Sequence, residues 1–294
     1  VLYYLSLPII YLVSLLPFPI LYLLSDTVYL LLYHVAGYRR KVVEENLRNA
    51  FPEKSEQEIR EISSRFFRYL CDLFLETFKT LTISKKSMVR RCSFPPDTIA
   101  LFSKLSQEGK SAILVMGHQG NWEWAGNSFS ILCPQQLYVI YHPLANPHFN
   151  NLIYKMRTRF GTKLIAMQDT FRDMLSNRKE INATAFIADQ TPNPNNAHWM
   201  TFLQQDTPVF KGTEKIAQKL NQPVVFVSVQ RVKRGYYTVM AEVLFMQPAN
   251  TQDGEITEAH TKRLEEDIIA HPATWLWSHR RWKHKRTELS YAER

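Results

Sequence analysis

Ser111-Ala112-Ile113-Leu114-Val115-Met116-Gly117-His118-Gln119-Gly120-Asn121-Trp122-Glu123 is the stretch on which the reading of this chain turns. Ser111 to Val115 form an apolar run that reads as a buried strand, and Trp124-Ala125-Gly126-Asn127-Ser128-Phe129 reads as the start of a helix. A histidine and a carboxylate therefore share a strand-to-helix turn, the place where open α/β sheets put ligands and chemistry. Gly117 and Gly120 flank the turn, so the backbone can bend sharply and approach a ligand. A carboxylate that holds an imidazole in one tautomer leaves the other ring nitrogen a usable general base. His118 is thus a candidate base for activating a hydroxyl without a covalent intermediate, with Glu123 as its orienting acid. A solvated surface pair without chemistry is the alternative for any His and Glu at this spacing.

Downstream, the pattern alternates. Helical segments are expected at 101–107, 121–132, 147–160, 169–177, 212–220 and 257–269. Strands are expected at 111–116, 137–141, 163–166, 182–188, 223–231 and 236–246. Strands alternating with helices define an α/β sheet. Gly235 between the last two strands permits a hairpin, so the sheet is expected to be mixed and flanked by helices. Upstream, residues 41–80 read as helical. Ser55 is a candidate N-cap with Glu58 at the capping-box position, and Ile59, Ile62, Phe66, Phe67, Leu70, Leu73, Phe74 and Phe78 recur at helical spacing. Core packing is the main reading of that stripe and a lipid-facing surface the alternative.

The 294 residues suffice for one large domain or two small ones, and no repeat, linker or low-complexity segment divides them. Lys and Arg total 36 against 27 Asp and Glu, a formal charge of +9 that suits anionic lipid, an acidic carrier protein, phosphate or nucleic acid. Cys71, Cys92 and Cys133 are scattered, with neither a disulfide framework nor metal-ligand spacing, which fits a reducing compartment. Residues 1–25 carry no charged side chain, and Pro8, Pro17 and Pro19 interrupt the apolar run. Two short helices broken at Pro17–Pro19 fit better than one straight span. Arg39, Arg40 and Lys41 follow, and positive charge there favours the cytoplasmic side. Residues 1–36 are expected to be a membrane anchor, spanning or re-entrant, and residues 37–294 a cytoplasmic domain. A buried helical hairpin is the alternative.

Three further constellations stand out. Arg157 and Arg159 end a helix, where guanidinium forks suit carboxylate or phosphate, or merely meet the helix dipole. Asp189 lies at the end of a strand, before Gln190-Thr191-Pro192-Asn193-Pro194, on the sheet edge that a parallel arrangement would share with the His118 loop. It either positions a polar acceptor, pins the loop, or simply opens a turn. Trp275 to Arg286 joins tryptophans to a dense basic cluster, which suits a membrane interface beside anionic head groups. No nucleic-acid fold signature, phosphate-binding glycine loop, dinucleotide fingerprint or serine nucleophile elbow is present.

Together these motifs resemble the late acyltransferases of lipid A biosynthesis, the lauroyl/myristoyl transferase family, from about residue 2 to residue 286. His118 and Glu123 match its His-x4-acid pair. Tyr141-His142-Pro143 resembles its Tyr-Arg-Pro segment, with Arg157 and Arg159 matching the arginines that follow. Asp189 matches the first acid of its Pro-Asp-x-Asp-Tyr-Gly loop. Phe210 with Gly212 to Ala217 resembles the next segment, and Trp275 to Lys283 its Trp-Leu-x-His-Arg-Arg-Phe-Lys close. The chain departs from the pattern where His142 replaces arginine and where Thr191-Pro192-Asn193 replaces the second acid and Tyr-Gly, loops expected to touch the acceptor.

The resemblance implies a glycerol-phosphate-acyltransferase-like α/β fold and an acyl-thioester donor, typically acyl carrier protein or else coenzyme A. It also implies a lipid acceptor and attachment to the cytoplasmic face of the cell inner membrane, with no metal or cofactor called for. On this reading His118 deprotonates the acceptor hydroxyl and Glu123 orients it. Arg159, with Arg157 as its helper, holds acceptor phosphate or donor phosphopantetheine, Asp189 contacts the acceptor, and N–H groups near Gly120 and Asn121 stabilise the oxyanion. Acylation of a lysophospholipid or aminolipid, and a catalytically silent membrane-associated binding protein, are the other readings.

Overall fold

A computed structural model describes residues 2–286; Val1 and residues 287–294, the ends of the expected anchor and domain, lie outside the described residues. Helices α1 (Leu2–Leu15) and α2 (Phe18–Tyr29) break at Pro17, as the prolines predict, and a π-helical turn (Leu30–Val35) extends α2. Phe18–Val35 is long and apolar enough to cross a membrane by length and composition. Leu5, Ile9, Leu12, Leu15, Ile20, Leu23, Leu30 and Leu31 are exposed. The expected helical region at 41–80 is two helices, α3 (Arg40–Ala50) and α4 (Glu56–Lys79), interrupted at Phe51 and Pro52, and the second starts after Ser55 as expected. Proline at that position removes a donor and disfavours helix in the residue before it. Ser55 and Glu58 form the complete capping box.

The remaining helices are α5 (Lys85–Arg91), α6 (Pro96–Gln107), α7 (Trp122–Leu132), α8 (Pro147–Thr158), α9 (Thr170–Ser176), α10 (Gly212–Leu220) and α11 (Glu255–Ala270). The strands are β1 (Cys92–Ser93), β2 (Ala112–Met116), β3 (Gln136–Tyr141), β4 (Lys163–Ala166), β5 (Asn182–Ile187), β6 (His198–Phe202), β7 (Gln205–Val209), β8 (Val224–Lys233) and β9 (Tyr236–Phe245). Seven of them form one sheet in the order β1-β9-β8-β2-β5-β3-β4. All pairs are parallel except β8–β9, the hairpin expected at Gly235, so the sheet is mixed. The separate β6–β7 hairpin was not expected from the sequence.

β2 is central and alternates. Ile113 and Val115 join the cluster that holds Phe66 and Phe67 of α4 and Leu264 of α11. Ala112 and Leu114 join the opposite cluster, with Phe102 of α6 and Phe129 of α7. Burial of such side chains is worth about 1.5–3 kcal/mol each. Because β2 and β5 are parallel neighbours, with Met116 opposite Ile187, the loops that leave their C-terminal ends emerge side by side.

Polar contacts fasten the first two helices to this core. The Lys79 ammonium donates to the carbonyls of Ser14 and Leu16 at 2.7 Å each, where α1 ends. Ser25 donates to Asp72 at 2.7 Å, and Tyr22 to Glu76 at 2.8 Å. Arg234, in the β8–β9 turn, bridges Asp72 and Asp26 at 2.7 and 2.8 Å.

Candidate active site

The turn after β2 is made by its glycines. Gly120 adopts φ +59°, and a Cβ there would lie 2.2 Å from the Val229 carbonyl oxygen. At Gly117 a Cβ would lie 2.6 Å from Leu264 and 3.1 Å from the Asp189 carboxylate. Only glycine lets the chain pass this close to its neighbours.

The imidazole of His118 is held by Asp189, not by Glu123. Its Nδ1 lies 2.6 Å from one Asp189 oxygen, and its own backbone N–H donates to the other at 2.7 Å. The Trp275 indole N–H donates to that second oxygen at 2.8 Å. Burial pushes the Asp189 carboxyl up, but His118 and these donors outweigh it and hold the group at about 2. An ionised carboxylate only accepts, so Nδ1 carries a proton, and it is Nε2 whose lone pair is free whenever the imidazole is neutral. The side chain of Gln190 approaches Nε2 at 3.5 Å, and the Trp122 ring packs edge-on against the imidazole at 4.9 Å.

Glu123 instead forms a forked ion pair with Arg157, at 2.5 and 2.9 Å. Burial raises the Glu123 carboxyl, whereas Arg157 and, more weakly, His118 lower it below the usual range. The expected His–Glu contact fails because the first turn of α7 directs Glu123 toward α8, while the parallel neighbour β5 delivers Asp189 beneath the imidazole.

The other expected binding residues separate. Arg159 donates to the carbonyls of Thr80 and Ile83, closing the segment after α4, and does not reach the site. Asn121 is fully buried: its oxygen caps α7 through the Trp124 N–H and its amide donates to Glu76 at 2.8 Å. The Gly120 N–H donates to the Thr274 carbonyl at 3.0 Å and is engaged before any oxyanion arrives. The tryptophans expected at a membrane interface belong to the core, with Trp275 at 2% and Trp277 at 0% exposure. His142 is exposed and lies at the cavity mouth.

From His118, Glu123, Arg157 and Gln190 a cavity of about 360 Å³ runs inward between α7 and the sheet. Leu114, Leu137, Val227 and Val239 form its sheet wall, and Phe94 and Phe129 lie opposite. Sequence reasoning missed two supports of this site. Glu76, fully buried on α4, accepts from Tyr22, Asn121 and Tyr237 at 2.8 Å each. Trp275 orients Asp189. Asp72 and Glu76, four apart in the apolar stripe of α4, were the available signal for the first.

An imidazole with a free Nε2 at the mouth of an apolar cavity, backed by a buried carboxylate, suits proton removal beside an aliphatic chain. The arrangement fits an α/β enzyme that transfers a group to or from a lipid-like substrate. Comparison with known proteins makes this specific. A family described as bacterial lipid A biosynthesis acyltransferase matches residues 1–284. A lipid A biosynthesis acyltransferase of Haemophilus influenzae is 22% identical over 271 residues, covering 90% of this chain and 82% of that protein. The chain belongs to the bacterial lipid A biosynthesis acyltransferase family and is an acyltransferase.

Proposed function

We propose that this enzyme moves a fatty acyl chain from an acyl thioester, carried on acyl carrier protein, to a hydroxyl of a lipid A precursor. The observation that carries the proposal is the placement of His118 Nε2 at the mouth of the apolar cavity with Asp189 beneath Nδ1. The acyl chain lies in the cavity with its thioester carbonyl at His118. Nε2 takes the proton of the acceptor hydroxyl, whose oxygen forms a bond to the carbonyl carbon. The carbon–sulfur bond then breaks, and the imidazolium returns the proton to the departing thiolate. Asp189 stabilises the imidazolium by contact. Arg157, held by Glu123 at the mouth, meets phosphate of acceptor or donor.

Residues 1–36 anchor the enzyme in the cell inner membrane and residues 37–294 form the acyltransferase domain at its cytoplasmic face. The exposed apolar side chains of α1 and α2 support this, as does the Arg39–Lys41 cluster that follows. The overall charge of +9 suits an acidic carrier and an anionic membrane surface.

The test supplies membranes holding the full chain with radiolabelled acyl-carrier-protein or acyl-coenzyme A donors and a panel of lipid acceptors. Label entering a lipid A precursor with wild type but not with His118→Ala is the expected result. Label entering only a lysophospholipid or aminolipid would replace the acceptor, and transfer from coenzyme A alone would replace the donor. No transfer to any acceptor would leave a silent membrane-associated binding protein.

A further inference from the structure

Behind Asp189, on the side away from the substrate cavity, lies a chamber of about 10 Å³, bounded by Asp189, His260, Thr261, Arg281 and apolar side chains. It has room for about one water and for no ligand. Arg281 is 1% exposed. One terminal nitrogen donates to the Pro208 carbonyl at 2.7 Å. Its Nε and its other terminal nitrogen have no hydrogen-bond partner among the described residues. An isolated buried guanidinium is costly unless something compensates its charge. The carboxylate that borders the chamber with Arg281 is Asp189. The same segment is latched to the loop after Asp189, since Thr191 donates to the Arg281 carbonyl at 3.0 Å.

We propose that Arg281 is a positioning residue for the His118–Asp189 pair: across this chamber its guanidinium supplies a counter-charge to Asp189 that weakens the carboxylate's hold on a proton at His118. The proposal rests on His118 being the base in the reading above. A buried carboxylate in contact with an imidazole strongly favours the imidazolium, which cannot act as a base. A cation on the far side of the carboxylate offsets that bias, while the His118–Asp189 hydrogen bond still fixes the tautomer. The other titratable or charged groups facing the pair are Tyr69 from α4, His260 from α11, His279 beside Arg281, and the Glu123–Arg157 ion pair. Arg281 and Arg157 are the cations closest in role, but Arg157 is already matched by Glu123.

The test reads His118 directly. Diethyl pyrocarbonate acylates neutral imidazole, and mass spectrometry of the peptide containing His118 gives its modification rate against pH in the full-length protein. Arg281→Met is expected to move that profile about one unit to higher pH, with a loss of about tenfold in rate at a fixed pH on its acid limb. Arg281→Lys, which keeps the charge, is expected to restore the wild-type profile. Melting curves confirm folding; if the methionine variant does not fold, Arg281→Gln, which keeps a donor for Pro208, takes its place. An unmoved profile in the folded neutral variant overturns the proposal. Acyl transfer measured beside it separates the two readings: a wild type that transfers to no acceptor, but whose neutral variant still shows the shift, refutes the function and supports the role of Arg281.

Discussion

At the scale of single residues, two carboxylates approach one imidazole and the geometry divides their work. Asp189 touches Nδ1, whereas Glu123 grips Arg157. Asp189→Asn is therefore expected to lower kcat by about 10²–10⁴-fold, comparable to His118→Ala, because an amide can hold the wrong tautomer. Glu123→Gln is expected to lose less, with the change mainly in KM, since it frees Arg157 and leaves the imidazole contact in place. Steady-state kinetics of the variants checks both, and equal kcat losses in the two would restore the simpler His–Glu pair. Gly120→Ala combines a strained φ with a Cβ driven into the Val229 carbonyl. It is expected to destabilise the fold by about 2 kcal/mol or more, read as a lowered melting temperature. The strand-to-helix turn that carries His118, its glycines and the strand end that carries Asp189 were legible in the sequence. The pairing of Asp189 with His118 was not, because contact across a parallel sheet depends on strand order, which local patterning does not specify.

At the scale of elements, periodicity identified β2, β5, α7, α10 and the β8–β9 hairpin closely, since each has an apolar face of clear period or a glycine turn. It failed at β6–β7, where Gln205-Asp206-Thr207-Pro208 carries little apolar signal and pairing comes from the tertiary setting. Arg159, given a binding role through the family resemblance, meets backbone carbonyls instead, and a helix-terminal arginine reads alike in either setting. Its bonds to Thr80 and Ile83 satisfy the chain end of α4. Arg159→Ala is expected to cost about 1 kcal/mol of stability with acyl transfer nearly unchanged. Denaturation and activity assays on that variant decide it, and a large fall in turnover with intact stability would return Arg159 to the site.

At the scale of the molecule, two buried titrating groups oppose one another. Burial pushes the Glu76 carboxyl up to about 7, so the native state binds its proton more tightly than the unfolded chain. Stability from this group is present at low pH and is lost as pH rises from about 4.5 to about 7. Burial pushes His260 down to about 4, so the unfolded chain binds that proton more tightly and stability is lost as pH falls from about 6.5 to about 4. The slopes have opposite signs over overlapping windows. Melting temperature is therefore expected to change little across mild acid in the wild type. Glu76→Gln should expose a rise with pH and His260→Gln a fall; parallel curves in all three proteins would sink this account.

The strand order also sets a timetable. His118 and Asp189 are 71 residues apart, and Trp275, which donates to Asp189, lies 86 residues beyond it. β2 must find β8 as well as β5, so the centre of the sheet closes only once β8 has been made. Long-range parallel pairing of this kind assembles slowly. A nascent chain that stops before Trp275 already holds the apolar α1 and α2, yet it lacks the indole that donates to Asp189. The segment proposed as the anchor thus exists long before the residues that frame Asp189 do.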